Sequence, residues 1–185
     1  MISVAKPFSA IEHSTIKDKN FPTVSVVTIT YGHENYIIDT LKGVLMQEYS
    51  GNIEFIIAND NSPDNTDKVI KDFFSQNAIP ENLEIKYTRH QENLGMMPNF
   101  IWALKQVKGK YIALCEGDDY WVDPLKLKKQ VEFLEQNNDY VLTFHRIKIL
   151  KTNGSLVEDF ITTVPEHYET QETLARLGNY IHTPS

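Results

Sequence analysis

Val24-Ser25-Val26-Val27-Thr28-Ile29-Thr30-Tyr31 is rich in β-branched residues and closes on a polar pair. It reads as a buried strand. Downstream, Tyr36, Ile37, Thr40, Leu41, Val44 and Leu45 recur at helical spacing. Ile53 to Ala58 is a second strand, and Asn59-Asp60-Asn61-Ser62-Pro63-Asp64 after it is a dense turn signal. Val69, Ile70, Phe73 and Phe74 mark a second helix. Leu83 to Tyr87 alternates as a third strand, and Phe100, Ile101, Leu104 and Val107 mark a third helix. Tyr111 to Cys115 is a fourth strand. Asp123-Pro124 then starts a helix, with Asp as the cap and Pro in the first turn. Leu127, Val131 and Leu134 form the buried stripe of that helix. Tyr140 to Leu150 is expected as a longer strand, and Asn153-Gly154 as a hairpin turn that lets Ser155 to Thr162 pair back.

Strand and helix alternate through the first two-thirds of the chain. That order predicts an α/β fold, a mostly parallel sheet with helices on both faces. Ligands in such sheets sit beyond the carboxyl ends of the strands. Three polar clusters fall at those ends: Thr30-Tyr31, Asn59-Asp60-Asn61, and Glu116-Gly117-Asp118-Asp119. Far apart in sequence, they are expected to converge at one edge of one sheet.

The 185 residues are enough for one domain with a full core. Acidic residues outnumber basic ones by 25 to 18, for a net charge of −7, which argues against a broad basic face for nucleic acid. A small phosphorylated ligand remains compatible, because a metal ion reverses the local field. Cys115 is the single cysteine, so no intramolecular disulfide forms, which fits a reducing compartment. No apolar run approaches the roughly 20 residues that a membrane helix needs, and residues 1–20 lack a signal-peptide core. The expected location is the cytoplasm, with room for a peripheral position at the inner face of the cell membrane.

Each candidate has a structural reading beside its chemical one. Asp118 and Asp119 could form a turn with Gly117. The helix that follows already has a cap in Asp123, however, so crowded carboxylates at a strand end point to a divalent cation. Asp60 reads equally as a turn residue and as an acceptor for a nucleotide N–H or O–H. Tyr31 reads as a rim-of-core tyrosine or as a ring that stacks on a base. Asn93-Leu94-Gly95 is a loop that positions the next helix. Arg89 and His90 are expected to be solvated, His145 to be a core histidine, and Cys115 to be a small buried hydrophobe. Trp102 is expected to pack on its helix, and Lys126, Lys128 and Lys129 to form a solvated helix face.

Four motifs in register, over roughly residues 22 to 137, resemble the family 2 glycosyltransferases. They are Val24 to Tyr31, Phe55 to Ser62, Asn93-Leu94-Gly95 with Asn99-Phe100, and Gly109 to Leu114 running into Gly117-Asp118-Asp119-Tyr120-Trp121 and Asp123-Pro124. The resemblance implies a GT-A fold, a Rossmann-like sheet that binds a nucleotide-sugar donor with Mn²⁺ or Mg²⁺. By position, Tyr31 and the backbone near Thr30 would hold the base, and Asp60 matches the acid that contacts it. Asp119 would serve the metal and Asp118 the ribose or sugar side. The usual motif has an acid where this chain has Gly117, with Glu116 as a possible auxiliary.

The implied reaction is inverting transfer to an acceptor hydroxyl, on a glycan or lipid-linked acceptor, in polysaccharide or glycan biosynthesis. The donor is expected to be a UDP-sugar. The family's catalytic base would lie beyond Ser185, after a strand expected to begin near Tyr180. Glu166, Glu169 and Glu172 do not sit in the base motif. Residues 1–20 are therefore expected to be a polar leader, and 21–185 a single donor-binding domain that is incomplete at its carboxyl end.

Three other readings stand beside this one. A nucleotidyltransferase would need a glycine-rich loop after the first strand, where this chain has Tyr31-Gly32-His33-Glu34. A dehydrogenase would need G-x-G-x-x-G there. A non-catalytic nucleotide-sugar-binding module would need neither base nor acceptor site.

Overall fold

The computed structural model describes residues 21–158. The polar leader, residues 159–162 of the expected return strand, the later acids and the Tyr180 segment lie outside the described residues. Two compact units divide at Thr143 and Phe144.

The larger unit is built on four strands: β1 (Val24–Thr30), β2 (Ile53–Asn59), β3 (Leu83–Arg89) and β4 (Tyr111–Leu114). Every pairing is parallel, in the order β3-β2-β1-β4. All seven residues of β1 and all seven of β2 are buried. Central parallel strands are covered on both faces, which is why these two read as continuous runs rather than alternating ones.

Side chains alternate across the sheet. Val24, Val26, Phe55 and Ile57 meet α1 (Ile37–Leu45), α2 (Thr66–Gln76) and α4 (Lys126–Gln136) through Ile37, Leu41, Val44, Ile70, Phe73, Leu127 and Val131. Val27, Ile29, Ile56 and Ala58 meet α3 (Met96–Leu104) through Ala103 and Phe100. Glu54, on the α3 side, is the charged exception in the middle of this core at 3% exposure. Ser25, Lys86 and the Lys108 amide all donate to its carboxylate. Burial opposes its ionisation, but these donors outweigh burial and hold the carboxyl below its ordinary range.

Several expected boundaries move. Tyr36 is 53% exposed and precedes α1 rather than lining its buried stripe. The third helix begins at Met96, a turn before Phe100, because Gly95 turns the chain at φ 90°. Pro98 sits in its first turn, where no amide donor is needed. Asp123 does act as a cap: its Oδ1 accepts from the Leu125 amide at 2.9 Å, one turn ahead of the regular helix. Lys126 is not part of a solvated face. It is 4% exposed, with its ammonium 4.4 Å from the centre of the Trp121 ring, and burial lowers its pKa to about 8.

Of the expected Tyr140–Leu150 strand, which crosses the division between the units, only Lys148–Leu150 in the second unit is regular (β5), paired antiparallel with β6 (Leu156–Glu158). Val141 is 95% exposed and has no sheet partner among the described residues, so apolar alternation alone does not make that segment a strand. The hairpin turn forms, with Gly154 at φ 81° and the Lys151 amide donating to the Ser155 carbonyl at 2.9 Å. It is a three-residue loop closed by a left-handed glycine, not a two-residue turn. His145 is exposed rather than in the core.

Candidate functional site

Parallel pairing brings the carboxyl ends of β1, β2 and β4 to one edge of the sheet. The Asp60 amide donates to the Thr30 carbonyl at 2.9 Å, and the Cys115 and Gly117 amides donate to Val27 and Ile29 at 3.1 and 3.0 Å. The three polar clusters therefore flank β1. Strand order also reverses at β1, because β2 lies on one side of it and β4 on the other. A crevice at such a switch point is where ligands enter open α/β sheets. A separate cleft of about 380 Å³, lined by Thr23, Asn52, Glu81, Asn82 and Lys108, lies at the amino ends of the strands, away from these clusters.

The acidic loop after β4 is the chemical centre of the edge. Glu116, Asp118 and Asp119 each offer a carboxylate oxygen, and these oxygens lie within 4.8 Å of one another. Two unit charges about 4 Å apart interact by roughly 4 kcal/mol at an effective dielectric near 20. An all-oxygen donor set of this kind fits a hard divalent cation such as Mg²⁺ or Mn²⁺. The loop is held from below. The Thr40 hydroxyl of α1 donates to the Asp119 carbonyl at 2.6 Å and reaches the Glu116 carbonyl at 3.4 Å. The Asp119 amide closes the turn on Glu116 at 3.0 Å. Cys115 is fully buried, as expected of a small hydrophobe, and burial, followed by the nearby Asp119 charge, pushes its thiol pKa up.

Gly117 sits where the fold leaves no room for a side chain. A Cβ there would lie 2.6 Å from Thr30 Oγ1, 2.7 Å from Thr30 Cβ and 2.8 Å from His33 Nδ1. No side chain of any kind fits while Thr30 and His33 keep their places.

The remaining expected residues divide between rim and interior. Tyr31 is 49% exposed, so its side chain is open to solvent at the rim. Thr30 is buried, and its hydroxyl lies 3.2 Å from His33 Nδ1. Asp60 is 2% exposed. Its carboxylate accepts the amides of Leu94 at 2.7 Å and Gly95 at 2.9 Å, and its carbonyl accepts from Asn93 Nδ2 at 3.1 Å. The Asn93-Leu94-Gly95 loop is thus anchored by Asp60, and each carboxylate oxygen keeps a second lone pair.

Sequence reading missed the stitching between the first two loops. The Gly32, His33 and Glu34 amides donate to Ser62 Oγ, Thr66 Oγ1 and Asp64 Oδ2 at 2.9–3.1 Å. Arg89 is exposed as expected, yet it bonds Asn61 at 3.0 Å and faces Asp67 at 3.6 Å. His90 bonds Asn99 at 2.9 Å and packs its edge on Trp102. The run of Asn, Ser, Asp and Thr between residues 59 and 66 was the available signal, but its partners lie in the loop after β1, some 30 residues away.

A parallel sheet whose order reverses at β1, with three carboxylates clustered after β4 at that edge, defines the class as an α/β protein. Its family follows from the chain itself: the model of glycosyl transferase family 2 matches residues 25–183, and the chain belongs to that family. An uncharacterized protein of Mycobacterium tuberculosis is 36% identical over 137 residues, which is 74% of this chain and 38% of that protein. The Bacillus subtilis protein TuaG, named for teichuronic acid biosynthesis, is 31% identical over 140 residues, covering 76% of this chain and 52% of its own. The chain thus spans about half or less of the length of these relatives.

Among solved structures, the Pyrobaculum calidifontis mannosyltransferase in complex with GDP-Man and Mn²⁺ superposes with a TM-score of 0.53 at 20% identity. The match covers 61% of this chain and 32% of that one. Staphylococcus aureus TarS in complex with UDP-GlcNAc gives 0.51 at 24% identity, covering 63% and 32%. These likenesses establish the shared α/β sheet of the GT-A fold. No helix among the described residues is long and apolar enough to cross a membrane.

Proposed function

We propose that this chain is the donor-binding part of an inverting glycosyltransferase, which takes a sugar from a UDP-sugar and passes it to an acceptor hydroxyl in polysaccharide biosynthesis. The observation that carries this reading is the convergence of Tyr31, Asp60 and the Glu116–Asp119 loop around the end of β1. The family membership and the nucleotide-sugar complexes of the structural neighbours support it.

In this reading Tyr31 stacks on the base and the Thr30 backbone orients it. Asp60 offers its remaining lone pairs to a base N–H while it holds the Asn93–Gly95 loop in place. Asp118 faces the ribose or sugar. Asp119, with Glu116 beside it, would hold Mn²⁺ or Mg²⁺, whose charge would offset the negative charge that builds on the departing diphosphate. The acceptor hydroxyl attacks the anomeric carbon from the face opposite the diphosphate, which inverts that centre. We assign the base that takes the acceptor's proton to none of the described residues. A glycan or lipid-linked acceptor and a cytoplasmic location, at or near the membrane, complete the proposal.

Calorimetric titration with UDP, UDP-sugars, dTDP-sugars and GDP-Man, with and without Mn²⁺, tests it. The expected result is preferential, Mn²⁺-enhanced binding of uridine ligands, and Asp119→Asn should remove the Mn²⁺ enhancement alone. Absence of binding to every ligand in the presence of Mn²⁺ would sink the donor-site reading. Metal-dependent affinity that survives in Asp119→Asn would remove Asp119 from the metal role.

A further inference from the structure

We propose that His33 is a nitrogen donor to the divalent cation of the acidic loop, binding through Nε2 alongside Asp118. This rests on the metal reading given under Proposed function. The His33 backbone is fixed on both sides: its amide donates to Thr66 Oγ1 at 2.9 Å, and its carbonyl accepts from Tyr36 and Ile37 at 3.0 Å each. The side chain spans from β1 to the acidic loop, with Nδ1 3.2 Å from Thr30 Oγ1 and Nε2 4.0 Å from Asp118 Oδ2.

The two distances carry different meanings. A direct hydrogen bond between His33 and Asp118 would bring the atoms to about 2.7–3.2 Å, and 4.0 Å is too long for one. Two donors on a single ion, each at about 2.1–2.2 Å, lie up to roughly 4.3 Å apart. The observed 4.0 Å falls inside the span open to two donors of one ion, between roughly 3.0 Å for neighbouring positions and roughly 4.3 Å for opposite ones, so a small rotation of either side chain brings both onto a shared cation. Metal-bound histidines give their other ring N–H to an oxygen, which fixes the tautomer. Thr30 Oγ1 holds that position here, so an Nδ1–H directed at it leaves the Nε2 lone pair facing Asp118.

Gly117 supplies the complementary observation. A Cβ at position 117 would meet both Thr30 Oγ1 and His33 Nδ1 below 3 Å. The imidazole occupies the room that a side chain at 117 would need. The His33 ring is thereby packed against the backbone of the acidic loop at Gly117. Imidazole suits Mn²⁺ and later transition ions better than Mg²⁺, so the site should favour Mn²⁺.

The test is pulsed electron paramagnetic resonance of Mn²⁺ bound to the full chain in the presence of UDP. Direct ligation gives ¹⁴N modulation that changes when the protein carries ¹⁵N-histidine. The modulation should be lost in His33→Gln, together with about ten-fold or greater loss of Mn²⁺ affinity and a smaller Mn²⁺-over-Mg²⁺ preference. His33→Asn serves if the first variant does not fold, which a melting curve and metal-free UDP binding reveal. Mn²⁺ binding without ¹⁴N modulation, as a water between His33 and Asp118 would give, overturns this inference and leaves the metal reading standing. Modulation that persists in both variants also overturns it. Failure of the wild-type chain to bind Mn²⁺ with UDP overturns both.

Discussion

Gly117→Ala is the sharpest perturbation of the site. Gly117 has an ordinary backbone angle, outside the left-handed region. At such a position, replacing glycine with alanine normally stabilises a protein by about 0.4–1 kcal/mol, because the unfolded chain loses freedom. Here the new methyl group would lie 2.6 Å from Thr30 Oγ1, 2.7 Å from Thr30 Cβ and 2.8 Å from His33 Nδ1. Thr30 is at the end of a strand paired on both sides and is 2% exposed, so it has little room to yield. Overpacking of this kind costs about 1–3 kcal/mol, so the sign of the effect should reverse. A domain of this size should lose a few degrees of Tm for each kcal/mol, roughly 3–10 °C in all. Differential scanning fluorimetry measures this, and UDP titration with Mn²⁺ should show weaker binding as Thr30 and His33 shift. A Gly117→Ala protein that melts at or above the wild-type temperature, with unchanged affinity, would refute the packing argument.

Asp60→Ala should cost about 2–3 kcal/mol in urea unfolding, since two amide donors lose a charged acceptor; it should also weaken UDP binding without metal, and unchanged stability would show that Leu94 and Gly95 do not depend on Asp60. Lys126 titrates at about 8 in the folded chain against 10.5 unfolded. At this group the folded state therefore binds fewer protons between those values, and its contribution to stability should rise across that window by up to about 3 kcal/mol. Buried Cys115 and Tyr49, whose pKa values are raised, act in the opposite sense, so the readout is a difference: urea unfolding at pH 7 and pH 10 should show the stability of the wild type relative to Lys126→Met rising by about that amount, and parallel pH profiles would refute it.

The central sheet was legible because its evidence is local. β1 and β2 are covered on both faces, and that burial is written into each strand as an unbroken β-branched run. The acidic loop was legible for the same kind of reason, since three carboxylates around one glycine need no distant partner to look unusual. What escaped depends on contacts across the chain. Whether Asp60 faces solvent or two amides is decided by residues 34 and 35 positions away. Lys126 looks like its neighbours Lys128 and Lys129, yet Trp121 folds over the first turn of α4 and buries it. His33 carries no mark in its own loop of the loop it faces. Residues 140–147 fail in the opposite sense, because alternation predicts a strand only where a neighbouring strand accepts it.

Helix α1 does more than cover the sheet. Its Gly43 comes so close to the Trp121 backbone that a Cβ would lie 2.9 Å from the Trp121 nitrogen, and one turn earlier Thr40 bonds the Asp119 carbonyl. The acidic loop is thereby bound to a helix whose Ile37, Leu41 and Val44 are locked in the core. Ordering a loop around a ligand normally subtracts from affinity, by about 0.5–1.5 kcal/mol for each side chain immobilised. In this chain the backbone that carries the carboxylates is ordered when the protein folds. The entropy is spent before any ligand arrives, and the ligand pays only for the last rotation of the carboxylates themselves.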